Sequence, residues 1–263
     1  MFAKIKESYV CNRNSLFMLK KILRNLLGIF ALLVFMLSLI LSSICYVLIF
    51  TLASKSKAPH IAHRYISRNW AKLLFPAFGI RVKIRNAERI HPETTYVFAA
   101  NHRSLLDIPA YAVACNNTFR FLAKAELTKI PLLGYIIRKL YISVDRKNKA
   151  ARVKSMDNML GSIKENISVF LCPEGTRNTS NDPLLPFHDG AFRLAIAAQV
   201  PLAVMTIKNS DRLLSPLHPI ELSPGTLECI WSEPISTSGM TENDIPRLRE
   251  KAREEMIRHL QNS

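Results

Sequence analysis

From Asn25 to Ser54 the chain carries no charged residue, and this run limits what the rest can be. Lys20, Lys21 and Arg24 precede it, and Lys55 and Lys57 follow. As one helix such a run spans roughly 45 Å, against about 30 Å of bilayer hydrocarbon. It is expected either to cross a membrane with tilt or to bend near Ser42 and Ser43 and return as a helical hairpin. A cleaved leader uses an apolar segment of only about 7–15 residues, so the run reads as an anchor. Basic residues on both flanks leave its orientation open. The chain divides on this reading into an anchor at 1–58 and a second domain at 59–263.

Charge points the same way. Lys and Arg number 36 against 20 Asp and Glu, a formal charge of +16. Such an excess attracts a polyanion, either nucleic acid or the phosphate face of a membrane. No helix-turn-helix, finger or RNA-binding signature accompanies it, so the membrane is the expected partner. Five widely spaced cysteines, Cys11, Cys45, Cys115, Cys172 and Cys229, offer no CxxC pair. Neither a disulfide framework nor a metal site is expected, and reduced thiols place the domain on the cytoplasmic side.

After Pro59, Ile66, Trp70, Leu73, Leu74 and Phe78 recur at helical spacing beside Arg64, Arg68 and Lys72. This is either an interfacial amphipathic helix or a surface helix packed on a core; His60 and His63 are read as interfacial. Beyond it, β-rich stretches fall at Val82–Ile84, Tyr96–Ala99, Phe119–Leu122, Tyr141–Val144, Val169–Cys172, Ala203–Ile207 and Leu227–Trp231. Helical patterns lie between several of them, at Ala151–Asn166 (face Val153, Met156, Leu160, Ile163) and at Phe192–Gln199. A final stripe of Ile245, Leu248, Ala252 and Met256 predicts a terminal amphipathic helix. Strands alternating with helices imply an α/β fold, a twisted mixed sheet flanked by helices.

Two segments carry chemistry. Asn101-His102-Arg103-Ser104-Leu105-Leu106-Asp107 follows the strand TYVFAA. On a continuous helix His102 and Asp107 would stand about 140° apart. Pro109 favours a helix start near Asp107, leaving His102 in the preceding turn, free to fold back on the carboxylate. A carboxylate on one ring nitrogen frees the other to take a proton. The second segment, Leu171-Cys172-Pro173-Glu174-Gly175-Thr176-Arg177, leaves the strand ISVFL. Gly175 permits close backbone approach, and the Arg177 fork matches a phosphate. Arg146, after the Tyr141–Val144 strand, is a second phosphate candidate at a strand end, where ligands of open α/β sheets gather.

Together these segments resemble the glycerolipid acyltransferase family, specifically the 1-acyl-sn-glycerol-3-phosphate acyltransferases of bacterial type. NHRSLLD matches the block NHxxxxD, and CPEGTR matches FPEGTR with Cys172 in the Phe position. PFHDGAFRLAIAAQVPLAVMTI resembles the passage into the fourth block. Two departures stand out. The block GxxFIxR corresponds to Leu140–Arg146, keeping only the Arg, and the second Pro of VPxxP is Val204.

The resemblance implies acyl transfer from acyl-CoA or acyl carrier protein to the free hydroxyl of lysophosphatidic acid, giving phosphatidic acid. His102 would be the general base and Asp107 its orienting partner. Arg177 and Arg146 would bind the acceptor phosphate, and Glu174, Gly175 and Thr176 would shape the acceptor site. Glu174 could instead cap a helix or pair with an arginine. Lys124 either assists the phosphate or is solvated. The altered blocks keep another lyso-lipid or glycerol-phosphate acceptor open, and a non-catalytic scaffold is the reading furthest from the motifs. The resemblance implies no cofactor, a membrane partner, and a bacterial inner-membrane location with the site facing the cytoplasm.

Overall fold

Each of the seven β-rich stretches becomes a strand, because each is short, apolar and bounded by turn residues. The computed structural model describes residues 2–144 and 148–261. The strands are β1 (Ile80–Arg85), β2 (Val97–Ala100), β3 (Phe119–Lys124), β4 (Ile142–Val144), β5 (Ser168–Leu171), β6 (Leu202–Lys208) and β7 (Gly225–Trp231). They form one sheet in the order β1-β7-β6-β2-β5-β3-β4. All neighbours are parallel except β6 and β7, so the sheet is mixed as expected. The C-terminal ends of β2, β3, β4, β5 and β6 therefore share one edge.

The helices are α1 (Phe2–Leu52), α2 (Ala58–Ile61), α3 (Arg68–Ala77), α4 (Asp107–Ala114), α5 (Leu133–Leu140), α6 (Lys149–Lys164), α7 (Gly190–Ala198), α8 (Ser210–Leu213) and α9 (Ile245–Gln261). Phe98, Phe119, Phe170 and Trp231 point to the core shared with α3 and α4, against which α1 packs. Val97, Val169, Leu202 and Val204 point to the core under α6, α7 and α9. Central strands covered on both faces read as continuous apolar runs for this reason.

The apolar run forms part of one unbroken helix. Ser42 and Ser43 do not bend it back. Their hydroxyls donate to the carbonyl of Leu39 at 3.1 and 2.6 Å, satisfying themselves within the helix. The segment Ser15–Leu52 is long and apolar enough to cross a membrane, yet one side of it is docked. Tyr46 Oη meets Ser67 Oγ at 2.8 Å, and Trp70 Nε1 donates to Ser38 Oγ at 3.0 Å.

Three expectations shift in register. After α2, residues Ala62–Ser67 wind as a π-helix before α3, which rotates the buried stripe. Ala71, Leu74 and Phe75 are buried while Leu73 is 74% exposed. In α6 the buried line is Ser155, Met159, Ser162 and Ile163, and Val153 faces out. The small serines let that helix approach closely, so hydrophobicity alone misplaces its inner face. His63 is not interfacial but buried, its ring edge-on to Phe119 at 4.1 Å. Burial, then the Arg68 and His60 charges, push its pKa down to about 3. The terminal stripe of α9 is buried at all four expected positions.

Candidate active site

β2 ends at Ala100, and the next residue continues the sheet by its side chain. Asn101 Nδ2 donates to the carbonyl of Ile207 at 2.9 Å, and its Oδ1 accepts the Ile207 N–H at 2.7 Å. Its own carbonyl accepts from Tyr111 Oη at 2.8 Å. This fixes the start of the turn that carries His102.

The turn closes on Asp107, the first residue of α4. His102 Nδ1 lies 2.9 Å from Asp107 Oδ2. A carboxylate can only accept here, so Nδ1 carries the proton and Nε2 is the nitrogen available to take another. The same Oδ2 accepts the N–H groups of Arg103 and Ser104, each at 2.7 Å. Asp107 is fully buried, whereas the His102 side chain keeps 19% of its surface exposed. Three donors on one oxygen, at a helix N-terminus, offset the cost of burying that charge.

The second motif is bonded directly to the first. Glu174 Oε1 accepts the N–H of His102 at 2.9 Å, and Oε2 accepts the N–H of Leu185 at 2.8 Å. The carbonyl of His102 accepts the N–H of Asn178 at 2.8 Å. Burial raises the Glu174 pKa, opposed by these two N–H donors and then by the charges of His102 and Arg103. Glu174 thus braces the backbone of the histidine turn, and neither a helix cap nor an arginine pair is among its hydrogen bonds in the described residues. Gly175 holds φ +69°, and a Cβ there would fall 2.6 Å from the His188 ring. Both observations favour glycine here. Thr176 is exposed just beyond it.

Arg177 follows, with Nη1 buried and without a hydrogen-bond acceptor among the described residues. An unpaired buried guanidinium donor is costly and suits an anion. Lys124 stands at the end of β3, exposed, and pairs with Glu126 at 3.2 Å rather than with either motif. Arg146 lies outside the described residues, though β4 ends just before it on the same sheet edge. Cys172 is partly buried beside Tyr111 Oη at 3.5 Å and packs on the core.

Sequence reasoning missed Arg103. Its Nε meets Asp211 Oδ2 at 2.9 Å, while Nη1 and Nη2 donate to the carbonyls of Asp182 and Ser180 at 2.6 and 3.0 Å. It thereby ties the histidine turn to the loop after Arg177 and to the segment after β6. No local pattern marks it, because its partners lie far along the chain. Val204, the departure from the fourth block, is buried inside β6 and packs in the α7 core. That change alters sheet packing rather than the histidine turn. Among the described residues no group of three His, Cys, Asp or Glu is placed to hold a metal ion.

A family model described as Acyltransferase matches residues 81–208. An uncharacterized acyltransferase of Schizosaccharomyces pombe is 30% identical over 239 residues, covering 90% of this chain and 84% of that protein. The 1-acyl-sn-glycerol-3-phosphate acyltransferase alpha of Mus musculus is 32% identical over 182 residues, 68% of this chain. A Saccharomyces cerevisiae protein named 1-acyl-sn-glycerol-3-phosphate acyltransferase is 29% identical over 75% of this chain. The chain spans 64% and 66% of the length of these last two relatives. In fold it is similar to the crystal structure of the 1-acyl-sn-glycerophosphate acyltransferase PlsC from Thermotoga maritima. The TM-score is 0.78 and the identity 23%, over 91% of this chain and 95% of that one.

Proposed function

Since this chain belongs to the acyltransferase family, we propose that it is a membrane-bound 1-acyl-sn-glycerol-3-phosphate acyltransferase. One observation carries this reading: the His102–Asp107 pair is hydrogen-bonded into the turn that bears Arg177. The turns that carry the proposed base and the proposed anion-binding guanidinium are thus hydrogen-bonded to each other.

His102 Nε2 takes the proton of the acceptor's free sn-2 hydroxyl as that oxygen attacks the thioester carbonyl carbon. Asp107 keeps Nδ1 protonated and stabilises the imidazolium. Collapse of the tetrahedral intermediate breaks the carbon–sulfur bond, and the imidazolium returns its proton to the leaving thiolate. Arg177, joined by Arg146, binds the acceptor phosphate, with Thr176 and Lys124 at its margin. The thioester of acyl-CoA or acyl carrier protein arrives already activated, so the reaction calls for no cofactor. Residues 1–58 serve as the anchor and 59–263 as the catalytic domain, on the cytoplasmic side of a membrane.

The test is acyl transfer to lysophosphatidic acid by purified protein in vesicles, offering both thioester donors. The unaltered chain should form phosphatidic acid, and His102→Ala should not while still sedimenting with the vesicles. Turnover retained by His102→Ala would remove the assignment.

A further inference from the structure

The uncharged run of α1 begins directly after Arg24, and at that point the helix touches a loop from the far end of the chain. The N–H of Leu222 donates to the carbonyl of Arg24 at 3.3 Å. Lys21 Nζ stands 3.8 Å from Glu221 Oε1. A Cβ on Gly28 would overlap the carbonyl oxygen of Ile220. Only glycine allows this helix and loop to meet backbone to backbone.

The loop is closed at its base by a bridge between Leu214 and Leu222 and by Ser223 N–H on the carbonyl of Leu213 at 2.8 Å. Its tip is open, with Leu217 67% and Ile220 50% exposed on either side of the exposed His218 and Pro219. Its base reaches the catalytic turn. The carbonyl of Leu214 accepts from Ser104 Oγ at 2.8 Å, and Ser104 N–H is one of the three donors on Asp107 Oδ2. A continuous set of contacts thus runs from the backbone of α1 through the loop to the carboxylate that orients His102.

We propose that the Leu214–Leu222 loop is a lipid-contacting brace. Leu217 and Ile220 enter the phospholipid surface beside α1, and the loop holds the catalytic turn at headgroup depth. The inference rests on the membrane reading above and adds to it a surface and a depth. Phospholipid is the occupant because the loop docks at Gly28 on a helix long and apolar enough to cross a membrane, and Leu23, Leu26, Ile29 and Phe30 are exposed at that level of the helix. Lys20, Lys21 and Arg24 stand at the same level, exposed, as complements to anionic headgroups. A lysolipid acceptor keeps its phosphate and free hydroxyl at that depth. A dyad fixed there meets the hydroxyl without drawing the acyl chain into water.

Two measurements test this. Leu217→Trp, in vesicles of phosphatidylcholine and phosphatidylglycerol, is expected to add tryptophan emission that is quenched when the phosphatidylcholine carries bromines on its upper acyl carbons. Added emission that the bromines leave untouched would overturn the proposal whatever the enzyme's activity. Leu217→Asp with Ile220→Asp is then compared on vesicle-borne lysophosphatidic acid and on a short-chain lysophosphatidic acid dissolved as monomer. The vesicle reaction should lose about tenfold or more in kcat/KM, and the soluble reaction less than about twofold. Equal losses on both acceptors, or none on either, would sink the brace. An unaltered chain inactive on both acceptors while Leu217→Trp is quenched would instead count against the enzymatic reading alone.

Discussion

The turn Asn101–Asp107 and the arm Pro173–Arg177 leave neighbouring strands, β2 and β5, yet they are finished to different degrees. In the turn the working groups are held by other protein groups. Asn101 uses both ends of its amide on Ile207, and Asp107 Oδ2 takes three donors, although its buried Oδ1 has no partner among the described residues. In the arm, Glu174 is held at both oxygens, but the buried Nη1 of Arg177 has no acceptor among the described residues. On the proposed roles this is a division of labour: proton-transfer geometry would be set before substrate arrives, while binding charge would be kept for the ligand. An unmet buried donor costs about 1–3 kcal/mol, which an anion would return on binding.

The largest effect should come from the turn. His102→Ala is expected to lower turnover about 10²–10⁴-fold, measured under saturating acceptor. Asp107→Asn should approach that loss, because an amide in place of the carboxylate no longer fixes the tautomer. In the arm, Arg177→Ala should raise the acceptor KM roughly 10–100-fold, the worth of a charge-assisted hydrogen bond, and leave the donor KM unchanged. A fall in turnover with constant acceptor KM would move Arg177 to the chemical half and erase the distinction.

Arg103→Ala separates the halves differently, since this side chain ties them together through Asp211, Ser180 and Asp182. A loss of about 1–3 kcal/mol in stability is expected, read as a lower Tm, with turnover and acceptor KM both impaired. Arg103→Lys should recover little, because one ammonium cannot reproduce the forked set of donors.

The smallest effect on activity belongs to His63, outside both turns. It is neutral when folded, with its pKa pushed down to about 3 by burial and then by Arg68 and His60. The unfolded chain takes up that proton below its ordinary value near 6.5. Its contribution is thus intact above about pH 6.5 and is lost as pH falls toward 3, at up to about 1.4 kcal/mol per unit. His63→Leu should flatten the acid limb of Tm against pH without changing turnover at neutral pH.

The central strands β2, β5 and β6 could be read from the sequence because burial on both faces leaves short apolar runs between turn residues, and edge strand β1 because its residues alternate in burial. The α9 stripe was equally plain, since a helix with one buried face writes a 3.6-residue period. His102, Asp107, Glu174 and Arg177 were legible because each motif is contiguous and sits where a strand must turn. The inner face of α6 was not, because Ser155 and Ser162 gain burial from close approach rather than from hydrophobicity. The π-helix before α3 shifted its stripe for a related reason: an extra residue per turn breaks the period that reveals a face.

The amino-acid order alone determined the uncharged apolar run, the strand-turn-helix units and the chemical groups within each turn, since all depend on near neighbours. Only the tertiary structure decided that Glu174 would hold the backbone of His102, that Arg103 would join three loops, and that Gly28 would admit Ile220. Those contacts join residues 72 to nearly 200 positions apart. Hydrogen bonds and close approaches of that kind depend on where packed elements end in space, and no local pattern encodes their meeting.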